Sequence, residues 1–203
     1  MDNQDPLQET ITNENIALAA AVTAEEAPAK ASRFKEELIS WAKAIAVAGV
    51  VAFVVNNFII VNAMVPTGSM HTTIMTDDRI VAFRLSYLFN EPERFDIVVF
   101  ENPANRDVLF IKRIIGLPGE TVLVSGGSVY INGEPLLEDA QFIKEPFDGH
   151  AGPFVVGEGQ YFVLGDNRNN SDDSREWANP FVPSENILGR AVFQYFPRFS
   201  ILH

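Results

Sequence analysis

Hydrophobic residues in this chain come in two arrangements, one continuous and one alternating. The continuous one is Ala44 to Val61, AIAVAGVVAFVVNNFIIV, whose only polar members are Asn56 and Asn57. Wound as a helix, a run of that length rises about 27 Å, close to a bilayer's hydrocarbon thickness of roughly 30 Å. An apolar surface all round fits a membrane span, because a helix on a globular surface keeps a polar stripe. The Asn pair leaves a buried core helix as the alternative. Lys30, Arg33, Lys35 and Lys43 precede the run, and the first base after it is Arg79. The positive-inside rule therefore places the N-terminus in the cytoplasm and the body beyond the membrane. The run is longer than the apolar part of a cleaved leader, and no small-x-small site follows it before Pro66. The pattern predicts an uncleaved anchor.

From residue 65 onward the pattern changes to short runs of Val, Ile and Phe. Arg79–Phe83, Asp96–Phe100, Val108–Ile115, Thr121–Val124, Val129–Ile131, Gln160–Leu164 and Gly189–Phe196 read as strands. Gly116-Leu117-Pro118-Gly119, Ser125-Gly126-Gly127-Ser128 and Ile131-Asn132-Gly133-Glu134 supply turns between them. No long amphipathic helix appears beyond the anchor. The expected fold is mainly β, a coiled antiparallel sheet or sandwich preceded by one transmembrane helix. Three segments follow: an acidic, solvated cytoplasmic tail over 1–32, a juxtamembrane segment and anchor over 33–62 with its span near 44–61, and a β-rich body over 63–203.

Charge narrows the partners. The net charge is -12, and residues 1–30 hold Asp2, Asp5, Glu9, Glu14, Glu25 and Glu26 against Lys30 alone. An acidic body argues against nucleic acid, since phosphate contacts need clustered positive charge. The chain has no cysteine, which excludes disulfides and Cys-based zinc sites.

Two residues stand out against these patterns. Ser69, in Val65-Pro66-Thr67-Gly68-Ser69-Met70, lies eight residues beyond the anchor, where a nucleophile would be held close to a bilayer surface. Pro66 stiffens its approach and Gly68 lets a ligand come near. Thr67 places a hydroxyl where it could join the Ser69 N–H as an oxyanion donor. A plain turn is the alternative. Lys112 interrupts the apolar strand Val108–Ile115 and shares a face with Val108, Phe110 and Ile114. Burial there would lower its pKa and make it a base; the alternative is an edge-strand lysine that guards against aggregation. Lys144, in a polar stretch, looks solvated. Of the three histidines, none is well placed to serve Ser69.

The third feature is Gly165 to Arg175, GDNRNNSDDSR, eleven residues with no apolar side chain. Its acids Asp166, Asp172 and Asp173 with Arg168 and Arg175 read as an internally paired network. The spacing does not follow a calcium-loop pattern. Ser171 could orient a lysine amine, and an Asp173–Arg175 pair could hold the loop. Neither a metal nor a cofactor is expected.

Together these segments resemble the type I signal peptidases. Pro66-Thr67-Gly68-Ser69-Met70-His71-Thr72-Thr73-Ile74 is similar to the family's serine box, Phe110-Ile111-Lys112-Arg113 with Gly116-Leu117-Pro118-Gly119-Glu120 to its lysine box, and Gly165–Arg175 to its Gly-Asp-Asn box. Phe95–Phe100 also fits. The resemblance implies a membrane-bound β-rich serine endopeptidase that cuts exported precursors after small residues, in the Ala-x-Ala style. It implies Ser69 as nucleophile, Lys112 as general base, and Thr67 with the Ser69 N–H as oxyanion hole. Ser171, Asp173 and Arg175 would support the dyad. Val65, Ile74, Ile80, Val99, Phe110 and Ile111 would wall pockets for small side chains. Signal peptides and the plasma membrane would be its partners. Thr72 departs from the family's proline, Glu120 from an aspartate and Asp77 from a common glycine. Rival readings are a non-catalytic, membrane-tethered β module that binds exported chains, and a self-cleaving Ser–Lys protease of the repressor type.

Overall fold

The computed structural model describes residues 35–202; the acidic tail and the bases Lys30 and Arg33 lie outside them. The chain divides into two compact units between Phe53 and Val54. Among the described residues one helix, Lys35–Ile59, is long and apolar enough to cross a membrane, and none of its membrane-length window is buried. Trp41, Ile45, Val50 and Phe53 are among its exposed side chains. Its last turn, Val55–Ile59, is π-wound.

The helix stops earlier than hydropathy suggests. Ile60 is extended, and Ile60–Met64 is the first strand, β1. Val61 is buried in the body's core instead of facing lipid. The reason is chemical: Ile-Ile-Val fits a strand as well as a span, so apolarity alone cannot locate the boundary.

The body is mainly β, and every strand pairing in it is antiparallel. β2 is Arg79–Phe83, β3 Ile97–Asn102, β4 Asn105–Gly116, β5 Thr121–Ser125, β6 Ser128–Ile131 and β7 Glu134–Pro135. After them come β8 His150–Val155, β9 Gln160–Leu164, β10 Val182–Pro183, β11 Ile187–Phe196 and β12 Ser200–Ile201. The larger sheet runs β1-β2-β11-β3-β4-β9-β10, with β12 on β11; the smaller runs β7-β6-β5-β8.

The alternation decides what each face covers. Along β3, Ile97 and Val99 enter one core with Val61, Ile74 and Ile80, while Val98 and Phe100 enter another with Ile114 and Val163. Four successive buried residues mark a central strand covered on both sides. A third core joins β5 and β6 to Phe162 and Leu164 of β9, between the two sheets.

β2 and β9 coincide with the strands read from sequence, whereas β8 was not foreseen. Its Gly152-Pro153 looks like a turn, yet β8 is the edge of the smaller sheet, where proline's missing N–H costs no ladder bond.

Candidate active site

Ser69 sits in a short 3-10 turn, Gly68–Met70, entered through the extended residue Thr67. Apolar anchors hold this turn: Val65, Met70 and Ile74 are all buried in the first core. Backbone bonds close its base, Val65 N to Asp78 O at 3.0 Å and Asp77 N to Val65 O at 2.8 Å. Ser69 is left 8% exposed, and its Oγ lies 3.4 Å from Thr67 Oγ1. The turn then departs from a proline-built path: Thr72 has φ +104°, which a pyrrolidine ring forbids, and its hydroxyl donates to Phe142 O at 2.9 Å.

Lys112 reaches this turn from β4. Its Nζ donates to Ser69 Oγ at 2.6 Å, and the residue is 4% exposed. Burial pushes the amine down to about 8, because few waters can solvate the cation. The Asp173, Asp172 and Asp166 carboxylates oppose that fall, and the Arg175 guanidinium reinforces it. The Phe110 ring lies 5.2 Å from Nζ. Val108, placed with Lys112 by strand alternation, is instead 41% exposed, because the first residues of β4 project beyond the core.

The loop after β9 holds the turn from the other side. Asn167 N donates to Ser69 O at 3.0 Å, and Asn167 Nδ2 to Gly68 O at 2.9 Å. Gly165 must be glycine, since a Cβ there would overlap Ser69 O and Ser171 Oγ. Asp173 accepts from Arg175 Nε at 2.8 Å and from Gly165 N at 3.0 Å. Arg175 Nη2 also donates to Arg168 O at 2.7 Å. Ser171 Oγ is buried and, among the described residues, makes no hydrogen bond to Lys112 or to any other group.

The expectation of an internally paired loop needs correction. Only Asp173–Arg175 pairs within it. Asp166 pairs with Arg113 of β4, with both side chains fully buried, and also takes the Thr73 hydroxyl. Arg168 makes a two-pronged pair with Asp139, from a segment far back in the chain. Asp172 accepts the Trp177 indole N–H at 2.7 Å. Sequence spacing favours near neighbours, whereas the fold brings partners from β4 and from the segment after β7. Arg113, Asp139 and Asn167 are therefore positioning groups that the sequence reading missed. A buried-looking strand that reads Ile-Lys-Arg-Ile was the one available sign that Arg113 has an internal partner.

A groove of about 370 Å³ opens over Ser69 and Lys112. Val65, Phe110 and Ile111 line it, together with Ala63, Met64 and Leu109. Ile74, Ile80 and Val99 do not; each is 0% exposed in the core beneath. They support the groove floor because their strand positions point to the core. Chemically, a hydroxyl in contact with an amine that burial holds near neutrality can attack a carbonyl carbon seated in this groove.

Comparisons with known proteins identify the family. Residues 38–196 match the family model described as signal peptidase, peptidase S26. The signal peptidase I of Leptolyngbya laminosa is 44% identical over 168 residues, spanning 79% of this chain and 80% of that protein. The probable signal peptidase I-2 of Synechocystis sp. is 44% identical over 161 residues, 76% of this chain and 72% of the relative. A crystal structure of a signal peptidase I from Enterococcus faecalis shares 39% identity, covering 50% of this chain and 97% of that one with a TM-score of 0.41. The protein is a serine endopeptidase, and it belongs to the signal peptidase, peptidase S26 family.

Proposed function

We propose that this peptidase removes signal peptides from exported precursors, cutting after small residues, with Ser69 and Lys112 as a catalytic dyad. The observation that carries the reading is the 2.6 Å contact between a buried Lys112 Nζ and Ser69 Oγ. Neutral Lys112 takes the hydroxyl proton as Ser69 Oγ attacks the scissile carbonyl. The lysine then returns that proton to the leaving amine. Water activated by the same amine hydrolyses the acyl-enzyme. Thr67 Oγ1 and the Ser69 N–H are assigned to the oxyanion. Asp173 and Arg175 hold the loop behind the lysine, and Ser171 is assigned to the amine once a substrate closes the groove. An apolar groove walled by Val65, Phe110 and Ile111 suits small aliphatic side chains. The helix Lys35–Ile59 would anchor the enzyme in the plasma membrane, with the body outside the cytoplasm.

The test is cleavage of a synthetic precursor in detergent, with the cut site mapped by mass spectrometry. Ser69→Ala and Lys112→Ala should each lower kcat by at least about 10³-fold, as loss of a nucleophile or its base does. Retained cleavage by a folded Lys112→Ala protein at neutral pH would overturn the dyad.

A further inference from the structure

The groove over Ser69 carries one charged group that the proposed chemistry does not use. Among the described residues, Lys112 and Asp172 are the only ionisable side chains that line it; the rest of the lining is apolar, hydroxyl, glycine or amide. Asp172 is exposed, so it is not a structural carboxylate like its neighbours Asp166 and Asp173, both 0% exposed.

Asp172 is nonetheless fixed in place. One oxygen, Oδ1, accepts the Trp177 indole N–H at 2.7 Å. Trp177 packs against Phe110, with ring centroids 5.9 Å apart, and against Phe100 at 6.1 Å. Phe110 itself lines the groove. The carboxylate is thus mounted on an aromatic stack that belongs to the β3–β4 pair. Its second oxygen takes no hydrogen bond from any described residue. An exposed carboxylate held by one oxygen on an aromatic N–H, with the other oxygen unbonded at the lining of an apolar groove, selects cationic partners at little cost in ordering.

We propose that Asp172 is a specificity-determining residue: it favours substrates that carry a Lys or Arg side chain at the position running past it, and disfavours Asp or Glu there. The proposal rests on the peptidase reading above. Asp172 makes a direct charge contact with the substrate and takes no part in bond making.

The experiment uses the full-length chain in detergent and a set of synthetic precursors. Each carries one Lys, Glu or Gln at a single position on either side of the cut. Cleavage of the Gln peptides reports on the peptidase reading alone, so failure of that reading is seen separately. At one position, kcat/KM for Lys over Glu should be about fivefold to tenfold, the scale of a partly screened charge contact. The preference should sit at that one position and shrink as salt rises. Asp172→Asn keeps an acceptor for the indole and should bring the ratio to about one. The charged groups around Lys112 are Asp166, Asp172 and Asp173, which raise its pKa, and Arg175, which lowers it; Asp172→Asn removes one of the three that raise it and should also move the acid limb of kcat/KM to lower pH. A Lys/Glu ratio near one at every position in the native chain would overturn the proposal without any variant. So would a preference that survives Asp172→Asn or is indifferent to salt.

Discussion

At the scale of single residues, Lys112 sets function against stability. In water its amine would stay charged to about 10.5, but in the fold it loses its proton at about 8. At pH 7 about a tenth of the enzyme therefore holds the neutral amine, and that share grows with pH. The acid limb of kcat/KM should inflect near 8; an inflection near 10.5 would remove Lys112 from the role of base. The stability sign follows from the same shift. Below pH 8 both folded and unfolded chains hold the proton, so the fold carries the whole burial penalty, about 3 kcal/mol. Between 8 and 10.5 the folded chain sheds its proton first and the penalty fades. Lys112→Met should therefore be inactive yet melt higher than the native chain at pH 6 to 7, with the gain gone above pH 10.5. Thermal melts across that range check it, and a Lys112→Met chain that melts lower at pH 6 would contradict it. Ser69 and Lys112 were legible in the sequence because each broke its local pattern. Asn167 was not, since an Asn in a polar loop looks like any other until Gly68 O and Ser69 O are found at its donors.

Among the elements, the loop Gly165–Arg175 depends on partners far away in the chain. Arg168 is 3% exposed and donates through Nε to Gly165 O at 3.1 Å, while both its terminal nitrogens go to Asp139. Asp139, at 2% exposure, lies in the 3-10 segment Leu137–Gln141 after β7. The Phe142 ring just beyond stacks 3.7 Å from the Arg113 guanidinium, tying the same segment to the Asp166 pair. Removing one partner of a buried pair strands the other charge, at about 3–5 kcal/mol, whereas replacing both with apolar groups is often near neutral. Asp139→Ala should thus lower the unfolding free energy by about 3–5 kcal/mol, with the denaturant midpoint falling accordingly, and depress cleavage. Adding Arg168→Met should restore most of the stability. A loss below 1 kcal/mol in urea unfolding of Asp139→Ala would show that the pair does not brace the loop. Strands that are compact apolar runs after a charged residue, such as β2, were legible; β1 was masked because it begins inside the apolar run, and β8 by Gly152-Pro153. The long-range ion pairs were illegible because spacing carries no information about which loops the sheets bring together.

Over the whole molecule, the charge pattern around the helix makes an orientation testable. Lys35 and Lys43 belong to the N-terminal part of Lys35–Ile59, Lys30 and Arg33 precede it, and no base follows until Arg79. An asymmetry of this kind, close to the ends of a span, is what fixes topology. The 27 acids of the chain do not weaken the argument, since acidic residues contribute little to orientation. The chain contains no cysteine, so one introduced thiol reports a single place without background. Ser128→Cys, at the exposed first position of β6, should react in intact cells with a membrane-impermeant maleimide. A cysteine at Thr10, before the helix, should react only after the membrane is opened. Replacing Lys30, Arg33, Lys35 and Lys43 with Gln should produce a mixed population in which both sites label partly. Labelling of Thr10→Cys but not Ser128→Cys in intact cells would invert the proposed orientation and put the groove over Ser69 on the cytoplasmic side, away from exported precursors.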